Sequence, residues 1–278
     1  MTRSVPVLMY HHVSPVQGMI TVSPANFEDQ LRWLRKHGYR SLTCEQFAAH
    51  LEGEPAPPRS VLITFDDGYL DNWVYAYPLM KQYGFNGVIF LVTSWIGEGT
   101  LRPHLGEDAL PETPSHHDCE DLIEHGEADK VMLRWSEVEA MRADRVFEFH
   151  SHTHTHTRWD LGPDKARKNE HMVAELEASR AILAERLGGV SQHFCWPQGY
   201  FDADYIRIAR EAGFRYLYTT QAFGRNLPGH DPAHIHRFAV RNTSGQSVGR
   251  RIVVGSHPLI APVFHRFKLW KRARRERS

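Results

Sequence analysis

Cysteine is scarce in this chain of 278 residues, which has only three, at positions 44, 119 and 195. They lie far apart, and no two of them form a CxxC pair. An odd number of isolated cysteines argues against a disulfide framework and against a zinc site built from cysteines. The same scarcity fits a reducing compartment, so we expect a cytoplasmic protein.

Long apolar runs and an excess of one charge are also missing. The N-terminus leads only into a short apolar run from Val7 to Tyr10, too short for a signal peptide or a membrane span. The formal net charge is zero, with 33 basic and 33 acidic residues. Because the chain as a whole has no basic excess, we expect no nucleic-acid partner.

There is no internal repeat, and strand-like and helix-like patterns alternate over most of the chain. The clearest unit is an apolar run at 60–65, a helical pattern at 72–83 that contains Pro78, and a second apolar run at 87–92. A strand, a helix and a strand at this spacing indicate parallel strands. We therefore predict one α/β barrel-like domain with its active site at the C-terminal ends of the strands.

The predicted domain spans residues 1–255, and two stretches depart from its pattern. Residues 97–130 are polar and irregular, and we interpret them as an insertion or long loop. Residues 256–278 form a basic and aromatic tail, with seven basic residues and one acidic residue between 264 and 277. This tail is either a solvated helix or, over 264–278, a segment that contacts an anionic membrane through apolar anchors and positive charge.

Two adjacent carboxylates, Asp66 and Asp67, stand where the strand 61–65 is predicted to end. Buried acids are rare unless they are paired or bound to a cation. Successive strand residues point to opposite sides, so the two carboxylates cannot act on the same group from the same side. A polar strand end that turns at Gly68 would also explain the pair.

Histidine is abundant, with 19 residues, and four of them alternate at His150, His152, His154 and His156. On an extended strand all four would face one way. A histidine pair spaced HxxxH, together with a carboxylate, is a common ligand set for a divalent metal. The spacing permits His152 with His156 or His150 with His154, and a solvated histidine-rich loop is the plain alternative. In a metal site, one aspartate would be a ligand and the other would take a proton from water.

The stretch Thr64-Phe65-Asp66-Asp67-Gly68, followed by His152-Thr153-His154-Thr155-His156, resembles the first two motifs of the polysaccharide deacetylases, the NodB-homology domain of carbohydrate esterase family 4. The resemblance implies a distorted (β/α)7-type barrel that removes acetyl groups from sugars with a divalent metal. It implies that Asp66 is the catalytic base and that Asp67, His152 and His156 bind the metal. We expect Zn²⁺, with Co²⁺, Ni²⁺, Fe²⁺ or Mn²⁺ as alternatives. The pair His150 and His154 also satisfies the second motif and stays open.

The opening stretch, residues 7–13, resembles the start of one branch of this family, whose members deacetylate poly-β-1,6-N-acetylglucosamine and have a circularly permuted motif order. By that resemblance His11 is the candidate general acid that protonates the leaving amine. The chemistry requires such a donor, because an amine leaves poorly as an anion. His12 could exchange roles with His11, and a polar cap on the first strand would also account for both.

The third motif of the family usually contains an arginine that orients the base, and the matching stretch here, residues 194–200, has none. Either Arg237 takes over this role or the base is tuned differently. Trp196, Pro197 and Arg237 are candidate substrate contacts, although core packing of Trp196 fits equally well. By family analogy, the backbone N–H of Tyr200 or of a neighbour is the candidate donor to the oxyanion.

From the resemblance we expect an enzyme that removes an N-acetyl group from an acetamido sugar of a glycan or glycan precursor. A precursor at the inner face of the membrane would suit the tail. Because family relatives also deformylate lipid-linked sugars or open cyclic amides, such an amide hydrolase is the alternative enzyme. A catalytically inactive carbohydrate- or metal-binding protein is the alternative of another class.

Overall fold

The computed structural model describes residues 4–275, so both ends of the chain, 1–3 of the predicted domain and 276–278 of the predicted tail, lie outside the described residues. The strands are β1 Val7–Tyr10, β2 His12–Val13, β3 Thr21–Val22, β4 Arg40–Ser41, β5 Ser60–Phe65, β6 Gly87–Leu91, β7 Phe147–Ser151, β8 His193–Cys195, β9 Tyr216–Tyr218 and β10 Phe238–Ala239. The helices are α1 Pro24–Lys36, α2 Cys44–Leu51, α3 Tyr77–Tyr83, α4 His116–Glu124, α5 Trp135–Ala143, α6 Lys168–Leu187, α7 Ala203–Glu211, α8 Gly245–Ser256 and α9 Ile260–Arg275.

The main sheet is parallel throughout and runs in the order β10-β1-β5-β6-β7-β8-β9, with β4 beside β5. A further parallel bridge joins Tyr218 of β9 to Ile235, just before β10. The segment 235–239 therefore contacts both ends of the sheet, because β10 pairs with β1 and Ile235 bridges to β9. The sheet curls into a distorted barrel, which confirms the predicted α/β fold.

Alternate residues of β5 pack on opposite faces of the sheet. Ile63 and Phe65 belong to the cluster that includes apolar residues of α1, α3 and α5, whereas Leu62 packs with residues such as Val88 and Phe90 inside the barrel. Because strand side chains alternate, Thr64 and Asp66 share the inner face with Leu62. Asp66 therefore lies on the inner face of the barrel, at the C-terminal end of β5.

Two stretches differ from the sequence prediction. The region 97–130 is not wholly irregular, because it contains α4, which begins at its cap Ser115 and packs Cys119 in a cluster with Tyr69. The helical pattern at 72–83 is divided in two: a π-helical turn at Asn72–Ala76 runs directly into α3, and Pro78 lies in the first turn of α3. Among residues 4–275, no helix combines the length and the apolar character that a bilayer span requires.

Candidate active site

The backbone after β5 gives the two aspartates different directions. Asp66 continues the strand, since its N–H donates to the carbonyl of Tyr10 at 3.0 Å. Asp67 has a φ of +74° and Gly68 a φ of +90°, so the chain turns through the left-handed region at once. A Cβ on Gly68 would lie only 2.8 Å from the side chain of Leu91, which explains the glycine there.

Asp66 is held by Arg237 in a buried, two-pronged ion pair. The guanidinium Nη1 lies 2.6 Å from Oδ1 and Nη2 lies 2.8 Å from Oδ2. The Nε of Arg237 donates to the carbonyl of Thr219 at 2.9 Å, which fixes the orientation of the guanidinium plane. Burial alone would raise the pKa of Asp66, but the charge and hydrogen bonds of Arg237 lower it below its usual value. Asp66 is therefore ionised at neutral pH.

This pairing agrees with the alternative in which Arg237 takes over the role of the missing third-motif arginine. It also corrects the prediction that Arg237 contacts substrate. Its side chain is fully buried, and all three guanidinium nitrogens already donate hydrogen bonds to protein groups.

Asp67 faces two imidazoles instead. Its Oδ1 lies 3.3 Å from Nε2 of His152 and 3.5 Å from Nε2 of His156. Among residues 4–275 this buried oxygen has no hydrogen-bond partner. One carboxylate oxygen and two ring nitrogens therefore converge without satisfying one another, and that donor set fits Zn²⁺ or a related divalent cation.

The turn after β7 decides which histidines join Asp67. The strand ends at Ser151, and left-handed residues at Thr153 (φ +70°) and His156 (φ +62°) wind the chain back, so the four histidines do not face one way. Nδ1 of His152 lies 2.8 Å from the carbonyl of Cys195, which fixes the tautomer with its Nε2 lone pair directed at Asp67.

The other two histidines of the cluster are engaged elsewhere. Nδ1 of His154 pairs with Oγ1 of Thr93 at 3.0 Å, and Nδ1 of His150 pairs with Oγ of Ser191 at 2.6 Å. The alternative ligand pair His150 and His154 is therefore not assembled.

His11 follows β1 and His12 begins β2, and these neighbouring histidines have separate surroundings. Nε2 of His11 is 3.7 Å from Oδ2 of Asp66, and the side chain is 18% exposed. His12 is buried, with Nδ1 2.6 Å from Asp71 and Nε2 3.1 Å from Nδ1 of His116. Since both ring nitrogens of His12 are occupied away from Asp66, the proposed exchange of roles with His11 is wrong.

The third-motif stretch gives two more corrections. Trp196 is fully buried and packs against Phe194 and Tyr205, so it is a core residue and not a substrate contact; Pro197 is buried as well. The N–H of Tyr200 donates to the carbonyl of Pro197 at 3.1 Å within a 3₁₀ turn. That N–H is therefore already used and is not free for an oxyanion.

Sequence reasoning missed the role of Cys195. Its Sγ lies 2.9 Å from Nη2 of Arg237, while its carbonyl holds His152. One residue of β8 thus contacts the partner of Asp66 through its side chain and His152 through its carbonyl. The only signal in the sequence was its place inside the third-motif stretch.

Comparison with known proteins gives a consistent set of matches. A family model described as polysaccharide deacetylase matches residues 53–217. The protein YxkH of Bacillus subtilis, named for the same family, is 33% identical over 150 residues, which are 52% of this chain and 52% of that protein. The poly-beta-1,6-N-acetyl-D-glucosamine N-deacetylase of Staphylococcus aureus is 25% identical over 206 residues, or 72% of this chain and 61% of the relative. The chain thus spans only about half to three fifths of the length of these relatives.

A solved structure shares the fold. The structure of IcaB from Ammonifex degensii superposes with a TM-score of 0.71 and 24% identity, covering 91% of this chain and 98% of that one. At this identity the likeness concerns the architecture, and it agrees with the curled parallel sheet described above.

Proposed function

The chain belongs to the polysaccharide deacetylase family, and on that premise we propose that it is a metal-dependent hydrolase that removes the N-acetyl group from an acetamido sugar of a glycan or glycan precursor. One observation carries the proposal: two adjacent buried aspartates have opposite partners. Asp66 pairs with a guanidinium, and Asp67 meets two imidazoles. This arrangement supports one base and one metal ligand, as amide hydrolysis by activated water requires.

Asp67, His152 and His156 would hold the metal, for which the mixed carboxylate and imidazole donors favour Zn²⁺. When bound, such an ion polarises a carbonyl and lowers the pKa of water. Asp66 stays outside this donor set and accepts the proton of the attacking water. The water oxygen bonds to the carbonyl carbon, the C–N bond breaks, and acetate and a free amine result.

His11 would protonate the departing amine, a role that its position near Asp66 supports. Burial lowers the pKa of His11, although Asp66 and Asp67 act in the opposite direction. Its imidazole is therefore neutral near pH 7 and needs a proton before it can donate one. The Asp66 carboxyl, 3.7 Å away, holds that proton once it has taken it from water. The pair thus supports transfer from water to the amine nitrogen.

Acetate release from a panel of N-acetylated sugars, free, nucleotide-linked and lipid-linked, tests the proposal. We expect release from at least one class of sugar, its loss after chelator treatment, and its return when Zn²⁺ or Co²⁺ is added. A parallel arm with N-formylated sugars measures formate and tests the deformylase alternative. Full activity in protein shown by metal analysis to be metal-free would contradict the proposal, and inactivity of metal-loaded protein on every substrate would favour a binding protein.

Helix α9 supports a second proposal, that the protein contacts an anionic membrane peripherally. Ala261 and His265 are buried, whereas Ile260, Val263, Phe267 and Trp270 recur at helical spacing and are 49%, 70%, 55% and 53% exposed. Exposed Arg266 and Lys271 lie in the same segment. An unpaired apolar stripe with cations beside it suits an interface rich in anionic lipid.

The cytoplasmic location remains a prediction, which cell fractionation would check.

We expect the protein to sediment with vesicles that contain phosphatidylglycerol and not with phosphatidylcholine alone. Replacing Phe267 and Trp270 with Ser should lower vesicle binding by tenfold or more, because burying one large apolar side chain is worth about 1.5–3 kcal/mol. Leu269→Ser is the matched control, since Leu269 is 49% exposed but lies outside the stripe. Equal binding by the double variant and the wild type would remove α9 from the membrane contact.

A further inference from the structure

A second cluster of metal-donor side chains lies toward the other end of the barrel. Glu148 and His150 sit within β7, and Cys44 is the first residue of α2. Phe47 and Leu51 of α2 pack with Leu62 inside the barrel. The cluster shares no donor with the group formed by Asp67, His152 and His156. The cluster is therefore separate from the site at Asp67.

The three side chains converge. The Cys44 sulfur, a Glu148 carboxylate oxygen and a His150 ring nitrogen all lie within 4.8 Å of one another. Nε2 of His150 is 3.7 Å from Oε2 of Glu148. His150 is only 8% exposed, and among the described residues its Nε2 has no hydrogen-bond partner. A buried ring nitrogen without a partner is costly and points to a missing ligand.

Hydrogen bonds satisfy the carboxylate oxygens of Glu148 but leave Nε2 of His150 without a partner among the described residues. Both carboxylate oxygens of Glu148 lie 3.2 Å from the backbone N–H of Cys44, so they cap the N-terminus of α2. Ser191 holds Nδ1 of His150 at 2.6 Å and orients the ring, as the partner of a metal-binding histidine does. Neither contact satisfies Nε2.

The cluster also has a route to solvent. Cys44, Glu148 and His150 all line one cleft of about 610 Å³. A cation can enter through this cleft, and water within it can complete the coordination. One thiolate, one imidazole and one carboxylate are donors that Zn²⁺ accepts in a tetrahedral site.

A third group of close donors shows why proximity is not sufficient. Asp66, His152 and Cys195 also offer atoms within 4.8 Å of one another. There, however, the guanidinium of Arg237 contacts both Asp66 and Cys195. A fixed positive charge between two donors excludes a second cation, and no such charge is paired with Glu148 among the described residues.

We propose that Cys44, Glu148 and His150 form a second divalent-metal site, with donors suited to Zn²⁺, that fastens α2 to β7. The site has no part in the hydrolysis described above. The wild-type chain should bind two equivalents of metal, of which only one has a thiolate ligand.

Loading the metal-free protein with Co²⁺ tests this directly, because a thiolate ligand gives a charge-transfer absorption in the near ultraviolet that carboxylate and imidazole ligands lack. We expect the wild type to bind two equivalents and to show the band. Cys44→Ser should lose the band and one equivalent, whereas His152→Ala should lose one equivalent and keep the band. Cys119→Ser is the matched control, since that buried cysteine belongs to another cluster, and it should behave as the wild type.

Glu148→Gln guards against a folding artefact, because the amide oxygen can still cap α2 while the negative charge is lost. This variant should also bind a single equivalent. Uptake of one equivalent by the wild type, or a thiolate band that survives Cys44→Ser, would overturn the proposal. If the protein deacetylated none of the substrates, the thiolate band would still be expected, so the two proposals can fail separately.

Discussion

Replacing Asp66 with Asn should lower kcat for acetate release by about 10²- to 10⁴-fold, the range typical of a lost general base. The amide keeps the shape of the carboxylate and one oxygen for Arg237, but it cannot accept the proton of water. Since Asp66 is not one of the proposed metal donors, KM and metal content should change little. Asp144→Asn, which alters a carboxyl paired with Lys81 on the surface, is the control and should retain full activity.

The variant must be compared with the wild type at equal metal content and with matched thermal unfolding curves. Under those conditions, wild-type turnover by Asp66→Asn would rule out Asp66 as the base. A loss of activity accompanied by a loss of metal would instead indicate that Asp66 is a ligand.

Replacing Arg237 with Met should destabilise the fold by about 3–5 kcal/mol at neutral pH, because Asp66 would remain buried without its partner. In the wild type, Arg237 keeps the pKa of Asp66 below its usual value, so the ion pair stabilises the fold above the unfolded-state pKa and is lost as the pH falls. Without the guanidinium, burial raises the pKa of Asp66 above the unfolded value. The loss of unfolding free energy relative to the wild type should therefore be largest at neutral pH and smaller in acid.

The same change should move the acid limb of the activity profile to higher pH, because Asp66 would be protonated over part of the working range. Arg237→Lys keeps the charge but not the two-pronged geometry, so its effects should be smaller. Thermal unfolding at several pH values and a pH profile of kcat would measure both effects. An Arg237→Met protein with wild-type stability and an unshifted acid limb would show that the pair neither holds nor tunes the base.

The sequence predicted those parts of the site that depend on short-range pattern. Asp66 and Asp67 follow an apolar run and could be found from local pattern alone. The HxxxH spacing fits His150 with His154 as well as His152 with His156, and only the turn after β7 decides between the two pairs. The partner of Asp66 lies 171 positions away, so the sequence offered Arg237 only as one of two alternatives and could not decide between them. The role of His12 depended in the same way on His116, 104 positions away in a stretch interpreted as a loop.

Other differences arise from backbone geometry and close packing, which residue types reveal poorly. The N–H of Tyr200 is used by the turn at Pro197–Gly199, within which Gln198 has a φ of +51°. Helix α8 carries Gly245 and Gly249, residues that usually weaken a helix. A Cβ on Gly249 would lie 2.2 Å from the ring of Trp33, so here the glycine permits two helices to approach closely.

The division of labour between the two aspartates is tested most directly by metal content and turnover in Asp66→Asn and Asp67→Asn, purified side by side. Both changes are best made in a Cys44→Ser background, so that only the site at Asp67 is counted. We expect Asp66→Asn to retain its metal and lose turnover, and Asp67→Asn to lose both. Equal metal loss in the two variants, or metal retained by Asp67→Asn, would contradict the assignment of Asp66 as base and Asp67 as ligand.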